Sequence, residues 1–303
     1  MNQSAQNRSN GAGLAQCLEL IRPKACRHEL IRVGGAKDGA YLLPDDVLGI
    51  GACFSPGVNN VKDFEDELTR KYGVKCHMCD FTSDPSKFGT PLIENMQTFE
   101  KKWLDIDGGA DSITLDDWVS RRVSKDSGDL ILQMDIEGAE YRNLLAMSEE
   151  TLLRFRIILV ELHNLYALSR ADEIAKTLWP TLEKLDSSHV CVHAHPNNCG
   201  GEFVDRVTGM NLPSVIELTY LRRDRNSVDS IDLMDPKLPH PLDISRNVIS
   251  KPPVHLNERW LMKGFRPAES QIKMLSDQLD FANWRISEYE KNQREYDEDL
   301  QSL

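Results

Sequence analysis

Acidic side chains follow the end of a predicted buried strand at residues 130–132. Asp135 and Glu137 stand two residues apart, and Gly138 comes next, where the chain turns over the edge of a sheet. Carboxylates in such a position bind a divalent cation, or a cationic or hydroxyl-bearing ligand. Capping of the following helix explains one acid better than several in succession. The segment therefore predicts a ligand site at the end of this strand.

Asp80 lies at the end of another predicted strand, at residues 74–81. It stands about 23 residues beyond Gly57, and an acid in this position of a nucleotide-binding fold accepts hydrogen bonds from both hydroxyls of a ribose. Capping of the turn at residues 82–85 explains the same aspartate equally well. The residues alone leave both roles open.

The first predicted strand of the sheet spans residues 47–54, and small residues form the turn that follows it. Such a turn lets backbone N–H groups approach a ligand. Its spacing departs from the GxGxxG of dinucleotide-binding proteins, because Phe54 takes the place of the third glycine and Pro56 and Gly57 widen the turn. The pattern argues against NAD or FAD as the ligand.

Two histidines close later predicted strands, His163 at residues 156–163 and His195 at residues 190–195. Strand alternation predicts that four potential zinc ligands share one face of the second strand. They are His189, Cys191, His193 and His195. Four such residues span roughly 20 Å, too far to converge on one ion. We therefore predict no zinc site and retain His195, at the strand end, as a functional candidate.

Composition and charge exclude several classes of protein. The chain of 303 residues has 36 Lys and Arg against 48 Asp and Glu, a net charge of -12, which disfavours a general nucleic-acid binder. No apolar run approaches the roughly 18 residues of a membrane span. The polar start lacks a secretory signal, and the odd number of cysteines, seven, fits a reducing compartment. These features predict a cytoplasmic protein with no nucleic-acid partner.

The chain divides into four parts by pattern. Residues 1–13 are polar and predicted to be disordered, whereas residues 14–221 alternate short apolar runs with helical patterns, as in βαβ units. Residues 222–269 contain scattered prolines and are predicted to be an irregular connector. Residues 270–303 follow a heptad pattern.

The heptad pattern predicts a coiled-coil-like helix at the C-terminal end of the chain. Its core positions are Ile272, Leu275, Leu279, Ala282, Ile286, Tyr289, Gln293, Tyr296, Leu300 and Leu303. Pairing of this helix with a second copy would make the protein a homo-oligomer. A single amphipathic helix folded back on the core is the alternative.

Six motifs occur in order between residues 32 and 221. They are residues 32–46 (RVGGAKDGAYLLPDD), 54–68 (FSPGVNNVKDFEDEL), 112–118 (SITLDDW), 135–141 (DIEGAEY), 161–165 (ELHNL) and 193–201 (HAHPNNCGG). Together they resemble the FkbM-like family of S-adenosylmethionine-dependent methyltransferases. The resemblance implies an α/β, Rossmann-like class I methyltransferase fold. Its mostly parallel seven-stranded sheet would have an antiparallel last strand, here residues 215–221.

The resemblance also implies where the methyl donor binds. Phe54, Gly57 and Val58 would lie beside its methionine part, Asp80 would bind its ribose, and Phe81 would flank its adenine. The sequence departs from the family at FSPGVNN, where the usual GxGxG is absent.

Asp135 would lie near the donor's sulfonium and the acceptor. The residues predicted to contact the acceptor are Glu137, Asn164, Asn197 and Asn198. His163 or His195 would remove the acceptor's proton, or a divalent cation held by Asp135 and Glu137 would replace that base.

The implied activity is methyl transfer by in-line displacement to a hydroxyl of a small molecule, such as a sugar or secondary metabolite, or of a glycan. Two alternatives stay open at this stage. One is a nicotinamide-dependent oxidoreductase or epimerase. The other is a non-catalytic methyltransferase-like scaffold assembled through its coiled coil.

Overall fold

A computed structural model describes residues 13–205, 209–226, 236–257 and the single residue 286. The strands are β1 Leu30–Val33, β2 Tyr41–Pro44, β3 Ile50–Pro56, β4 Lys75–Cys79, β5 Gln97–Glu100, β6 Trp103–Leu104, β7 Ser112–Ile113, β8 Asp129–Met134, β9 Phe155–Leu162, β10 His189–Val204 and β11 Asn211–Arg222. The α-helices are α1 Leu14–Leu20, α2 Asp63–Tyr72, α3 Leu115–Arg122, α4 Glu140–Ala146, α5 Glu149–Arg154, α6 Leu165–Leu168, α7 Ala171–Glu173 and α8 Trp179–Ser188. A π-helical turn, Ile174–Leu178, joins α7 to α8.

Seven strands form the central sheet in the order β10-β11-β9-β8-β3-β4-β5. The pairs β9–β8, β8–β3, β3–β4 and β4–β5 are parallel, whereas β11 is antiparallel to both of its neighbours. The predicted α/β fold with an antiparallel last strand is confirmed.

Both faces of the sheet are covered, and this explains the apolar runs in the sequence. All eight residues of β9 are buried. One face packs against helices α1, α3, α4 and α8, and its core includes Phe54 and Trp118. The other face packs against α2 and the β1–β2 hairpin. The first face is tightly packed at Phe54, whose ring meets Trp118 edge-on at 5.0 Å.

Helix α2 follows the turn after β3 and has clear end signals. Asp63, Glu65 and Asp66 lie in its first turn, where carboxylates favour the helix dipole. Gly73 ends the helix in the left-handed conformation and donates its N–H to Leu68 O and Thr69 O. The helix therefore spans Asp63–Tyr72 and buries Glu65 against the sheet.

The prediction that the histidines and the cysteine at positions 189, 191, 193 and 195 share one face of β10 is wrong. A register shift lies between Cys191 and His193, so that Cys191 pairs with Tyr220 and His193 with Thr219. Cys191 packs in the helix-covered core, whereas its neighbour Val192 packs on the opposite face. A β-bulge inserts an extra residue and reverses the alternation beyond it.

Residues 236–257 contain no helix or strand and lie against β10. Asn198 donates its side-chain amide to the carbonyls of Val248, Lys251 and Pro252, and accepts from Val248 N–H. These bonds fasten the described part of the predicted connector to the sheet. The predicted heptad helix lies outside the described residues, except for Ile286.

None of the helices in the described ranges has the length and apolar character needed to cross a lipid bilayer.

The backbone at Gly57, after β3, lies very close to the backbone at Asp135, after β8. A Cβ atom built there would lie 1.6 Å from Asp135 O, at a φ of +87°. We expect Gly57→Ala to lower the free energy of unfolding by at least about 2 kcal/mol more than Gly35→Ala, because the two strand ends must separate. Urea unfolding of both variants measures this difference.

Gly35→Ala is the matched control, since Gly35 has the same φ of +87° but no atom lies within 4 Å of the position that an added Cβ would take. An alanine at this positive φ costs about 1–2 kcal/mol of backbone strain, and this cost is common to both variants. Equal losses would contradict the close packing of these strand ends.

Candidate functional site

The carboxyl ends of four parallel strands meet at one edge of the sheet and hold the candidate site. Two backbone hydrogen bonds extend the ladders beyond the strands: Gly57 N–H donates to Cys79 O at 2.9 Å, and Asp135 N–H donates to Pro56 O at 3.3 Å. The loops after β3, β4 and β8 are thereby held side by side. In open α/β sheets, this edge is where ligands bind.

A cavity of about 140 Å³ opens beside the turn after β3. Its lining includes Gly57 and Val58 from that turn and three acids, Asp38, Glu65 and Asp135. No Lys or Arg lines it among the residues that the structure describes. The cavity therefore favours a cationic group.

Glu65 and Asp38 were missed by the sequence reasoning. Glu65 resembles any surface acid in the first turn of a helix, yet only 2% of it is exposed. Burial raises its pKa to about 7, although a hydrogen bond with Ser55 opposes that shift. Asp38 lies in the loop of the β1–β2 hairpin, within the RVGGAKDGAYLLPDD motif, which was the only signal for it.

Asp80 organises the loop that follows β4. Its Oδ1 accepts from Thr82 N–H, Thr82 O–H and Ser83 N–H, and its Oδ2 accepts from Asn59 N–H and Ser83 O–H. Burial raises the pKa of Asp80, but the bonds from Thr82, Ser83 and Asn59 outweigh it and hold that pKa below its usual value. Ribose binding and capping of the turn are both compatible with this geometry. The hydroxyls of Thr82 and Ser83 can rotate away from Asp80 when a ligand binds.

An aromatic pair stands beside Asp80. The rings of Phe81 and Trp103 stack with centroids 5.2 Å apart and planes at 21°. Trp103 is 48% exposed, so that the pair presents an apolar face at the rim. The sequence reasoning selected Phe81 but missed Trp103, which no pattern distinguishes from a core tryptophan.

Phe54 does not reach the cavity in this structure. Its side chain is fully buried on the opposite face of the sheet, against Trp118 and Phe155. Gly57 and Val58 line the cavity instead. Strand alternation is the reason, because Phe54 packs among the core residues of the helix-covered face.

His163 lies just after β9 and is surrounded by carboxylates. Its Nε2 is 3.8 Å from Asp135 Oδ1, 3.5 Å from Glu137 Oε2 and 3.5 Å from Glu161 Oε1. Its Nδ1 is 3.1 Å from Glu140 Oε1. Burial lowers the pKa of His163, but Glu140, Asp135 and Glu137 outweigh it and raise that pKa above its usual value.

The carboxylates around His163 raise each other's pKa as well. Burial is the main cause for Asp135, whose pKa rises to about 7 although His163 lowers it. Burial, then Asp135 and Glu217, raise the pKa of Glu161 well above its usual value. The site concentrates more negative charge than one imidazolium balances.

His195 occupies a different part of the sheet. It pairs with Glu217 of the neighbouring strand β11, and Glu217 pairs in turn with Glu161 of β9. His195 therefore lies two strand spacings, roughly 10 Å, from β9. Its Nε2 is 3.1 Å from Asn247 Oδ1, and its Nδ1 is 3.6 Å from Asp243 Oδ1.

The asparagines predicted to orient an acceptor are occupied by protein partners. Asn197 donates to Glu161 Oε1 at 3.0 Å and to Glu217 Oε1 at 3.2 Å, whereas Asn198 binds the connector. Asn164 is exposed after β9 with a φ of +60°, and the Glu137 side chain is 85% exposed. Their roles toward an acceptor stay predictions.

Three side chains of the site have metal-ligating atoms within 4.8 Å of one another: Asp135, Glu140 and His163. The cation site predicted from Asp135 and Glu137 stays a prediction, and this cluster contains Glu140 in place of Glu137. Glu140 was not selected from the sequence, because it resembles an ordinary acid in the first turn of α4.

Comparison with known proteins identifies a family that this chain resembles. Residues 45–186 match the model of a family described as Methyltransferase FkbM domain. The match includes the turn after β3, Asp80, the DIEGAEY motif and the ELHNL motif. A search of curated proteins gave no significant match. The resemblance to the FkbM-like family is confirmed over these residues.

The buried acids predict a pH-dependent stability. Burial raises the pKa of Glu217 to about 7, although His195 opposes the shift, so that folded chains hold this proton more tightly than unfolded ones. The resulting stability is present at low pH and is lost as pH rises through about 7. We expect Glu217→Gln to reduce the loss of unfolding free energy between pH 5 and pH 8 by roughly 2 kcal/mol.

Urea unfolding at both pH values measures this effect, with the exposed Glu94→Gln as the control for removal of one acid. An identical pH dependence in the wild type and Glu217→Gln would show that this carboxyl titrates normally.

Proposed function

Since residues 45–186 match the model of the FkbM methyltransferase domain, we propose that the protein methylates a hydroxyl group of a sugar, glycan or other metabolite with S-adenosylmethionine as donor. The donor supplies a methyl group activated by a positively charged sulfur. The observation that carries this proposal is the acid-lined cavity beside Gly57 and Asp135. Carboxylates without basic partners favour a cationic sulfonium and ammonium over a neutral ligand.

The size of the cavity indicates which part of the donor it takes. Pockets for whole ligands measure roughly 300 Å³ or more, whereas this cavity is about 140 Å³. We assign it to the methionine part, with Glu65 and Asp38 placed to receive the ammonium group. The nucleoside part would lie along the open rim.

Asp80 and the aromatic pair suit the nucleoside. The hydroxyls of Thr82 and Ser83 now donate to Asp80, and ribose hydroxyls can take their place with little change in the loop. Phe81 and the half-exposed Trp103 offer an apolar surface next to Asp80 for the adenine.

The acceptor would approach from the side of β9 and β11. Asp135 separates the cavity from the polar wall formed by His163, Glu161 and Glu217. Methyl transfer needs alignment of acceptor oxygen, methyl carbon and sulfur, and removal of the acceptor's proton. Carboxylates surround His163, which lies closer to Asp135 than His195 does. We therefore assign removal of the acceptor's proton to the side chains around His163.

Two other functions make different predictions for ligand binding. A nicotinamide-dependent enzyme would require a tight pyrophosphate turn, which the wide turn at Pro56 and Gly57 does not provide. A non-catalytic scaffold would use the five bonds to Asp80 solely to hold its loop. Both alternatives predict no binding of S-adenosylhomocysteine.

The decisive experiment is calorimetric titration of the chain with S-adenosylhomocysteine and, separately, NAD. We expect S-adenosylhomocysteine to bind and to raise the thermal midpoint, because a ligand specific for the native state stabilises it. Asp80→Asn should weaken this binding about 10-fold or more, since an amide lacks the second acceptor oxygen.

Asp84→Asn is the matched control, because Asp84 is an acid of the same loop whose side chain accepts from Ser86 near the surface. Binding of NAD alone would favour the oxidoreductase, and no binding at millimolar concentration would favour the scaffold. Equal affinity in the wild type and Asp80→Asn would remove Asp80 from the donor site.

A further inference from the structure

The side chains of Asp135, Glu140 and His163, here named the carboxylate–histidine cluster, come from the segments that follow two neighbouring strands, β8 and β9. Asp135 follows β8, Glu140 begins α4 and His163 follows β9. Each offers one ligand atom within 4.8 Å of the other two. Glu140 is fully buried, and 8% of His163 is exposed.

The distances around Nε2 of His163 are those of neighbouring ligands and not of hydrogen bonds, whereas its Nδ1 is hydrogen-bonded to Glu140 Oε1 at 3.1 Å. Its Nε2 lies 3.5–3.8 Å from oxygens of Asp135, Glu137 and Glu161, beyond the range of a good N–H···O bond. Two ligands bound to one ion at about 2.1 Å lie roughly 3 to 3.5 Å apart. A small contraction around an ion would produce that separation.

Two oxygens of the cluster have no partner although they are buried. Glu140 Oε1 accepts from Ile136 N–H, Gly138 N–H and His163 Nδ1, but Glu140 Oε2 accepts from nothing in the described chain. Asp135 Oδ1 is likewise unpaired. A buried carboxylate oxygen without a donor is costly unless a cation or a proton satisfies it.

Positive charge is missing at the same place. Asp135, Glu137, Glu140 and Glu161 all lie within 4.0 Å of His163, and none forms an ion pair with a Lys or Arg of the described residues. One imidazolium offsets a single charge. A divalent ion would offset two and would leave His163 neutral as a ligand.

We infer that Asp135, Glu140 and His163 bind a divalent first-row metal ion, of which Mn²⁺ is a representative. One imidazole nitrogen with two carboxylates suits such ions better than Mg²⁺ or Ca²⁺, which prefer oxygen ligands alone. Glu137, with its side chain 85% exposed, lies at the solvent side of the ion, where it or water completes the coordination.

The chemical consequence rests on the proposed function. An ion next to Asp135 would lie between the donor cavity and the acceptor wall, where a bound hydroxyl becomes more acidic. His163 would then act as a ligand, and a neighbouring carboxylate such as Glu161 would receive the proton.

Titration of the chelator-treated, full-length chain with Mn²⁺, followed by electron paramagnetic resonance, tests the site. We expect one tightly bound Mn²⁺ per chain. Asp135→Asn and His163→Gln should each weaken binding by roughly 10-fold or more, whereas the exposed Glu149→Gln should not. Circular dichroism of each variant establishes that it is folded.

A second measurement needs no variant. Bound Mn²⁺ should broaden the imidazole NMR signals of His163 far more than those of His189. His189, which contacts Phe155 O at the far end of β9, lies roughly 25 Å away and should stay sharp. Absence of stoichiometric binding, or equal broadening of both rings, would overturn the inference.

The failure of this inference is separable from failure of the proposed function. S-adenosylhomocysteine should bind the chelated chain at Asp80 whether or not Mn²⁺ binds. Donor binding without Mn²⁺ binding rejects the metal site alone.

Discussion

The contact between the turn after β3 and the end of β8 is the constraint on which the site depends. Gly57 lies so close to Asp135 O that no side chain fits between them, and Asp135 N–H donates to Pro56 O. This approach places Asp135 at the junction of two regions, the acid-lined cavity on one side and His163 on the other. The wide turn that departs from GxGxxG is therefore compatible with a tight site, because one glycine provides the required approach.

Negative charge is the second constraint, and it acts against folding. Glu65, Asp135 and Glu217 have their pKa values raised to about 7, in each case mainly by burial. Burying such groups without cations costs stability that apolar residues in their place would not. Since the rest of the sheet is an ordinary apolar core, the concentration of acids at one edge indicates a site shaped for positively charged ligands.

The fold was largely predictable from the sequence, whereas the site was only partly so. Apolar runs such as β9, buried over all eight residues, identify strands between two layers of helices, and ordered motifs identify the family. The bulge at Cys191 to His193 was not predictable, because strand alternation carries no signal for an inserted residue. Glu65 and Glu140 were missed for one reason: an acid in the first turn of a helix usually faces water, and only tertiary packing buries these two.

Segments outside residues 45–186 complete the site, and Asn247 shows how. Its side-chain amide donates to Asp38 Oδ1 at 2.9 Å and to Glu217 Oε1 at 2.6 Å. It thus joins the β1–β2 hairpin, which lines the cavity, to β11 through residues 236–257. Asp243 anchors the same segment by accepting from His193 at 3.0 Å. The hairpin loop and this segment therefore stabilise each other over the edge of the sheet. Since neither lies within the part that matches the family, the contacts of Asn247 with Asp38 and Glu217 are a property of this chain's own flanking segments.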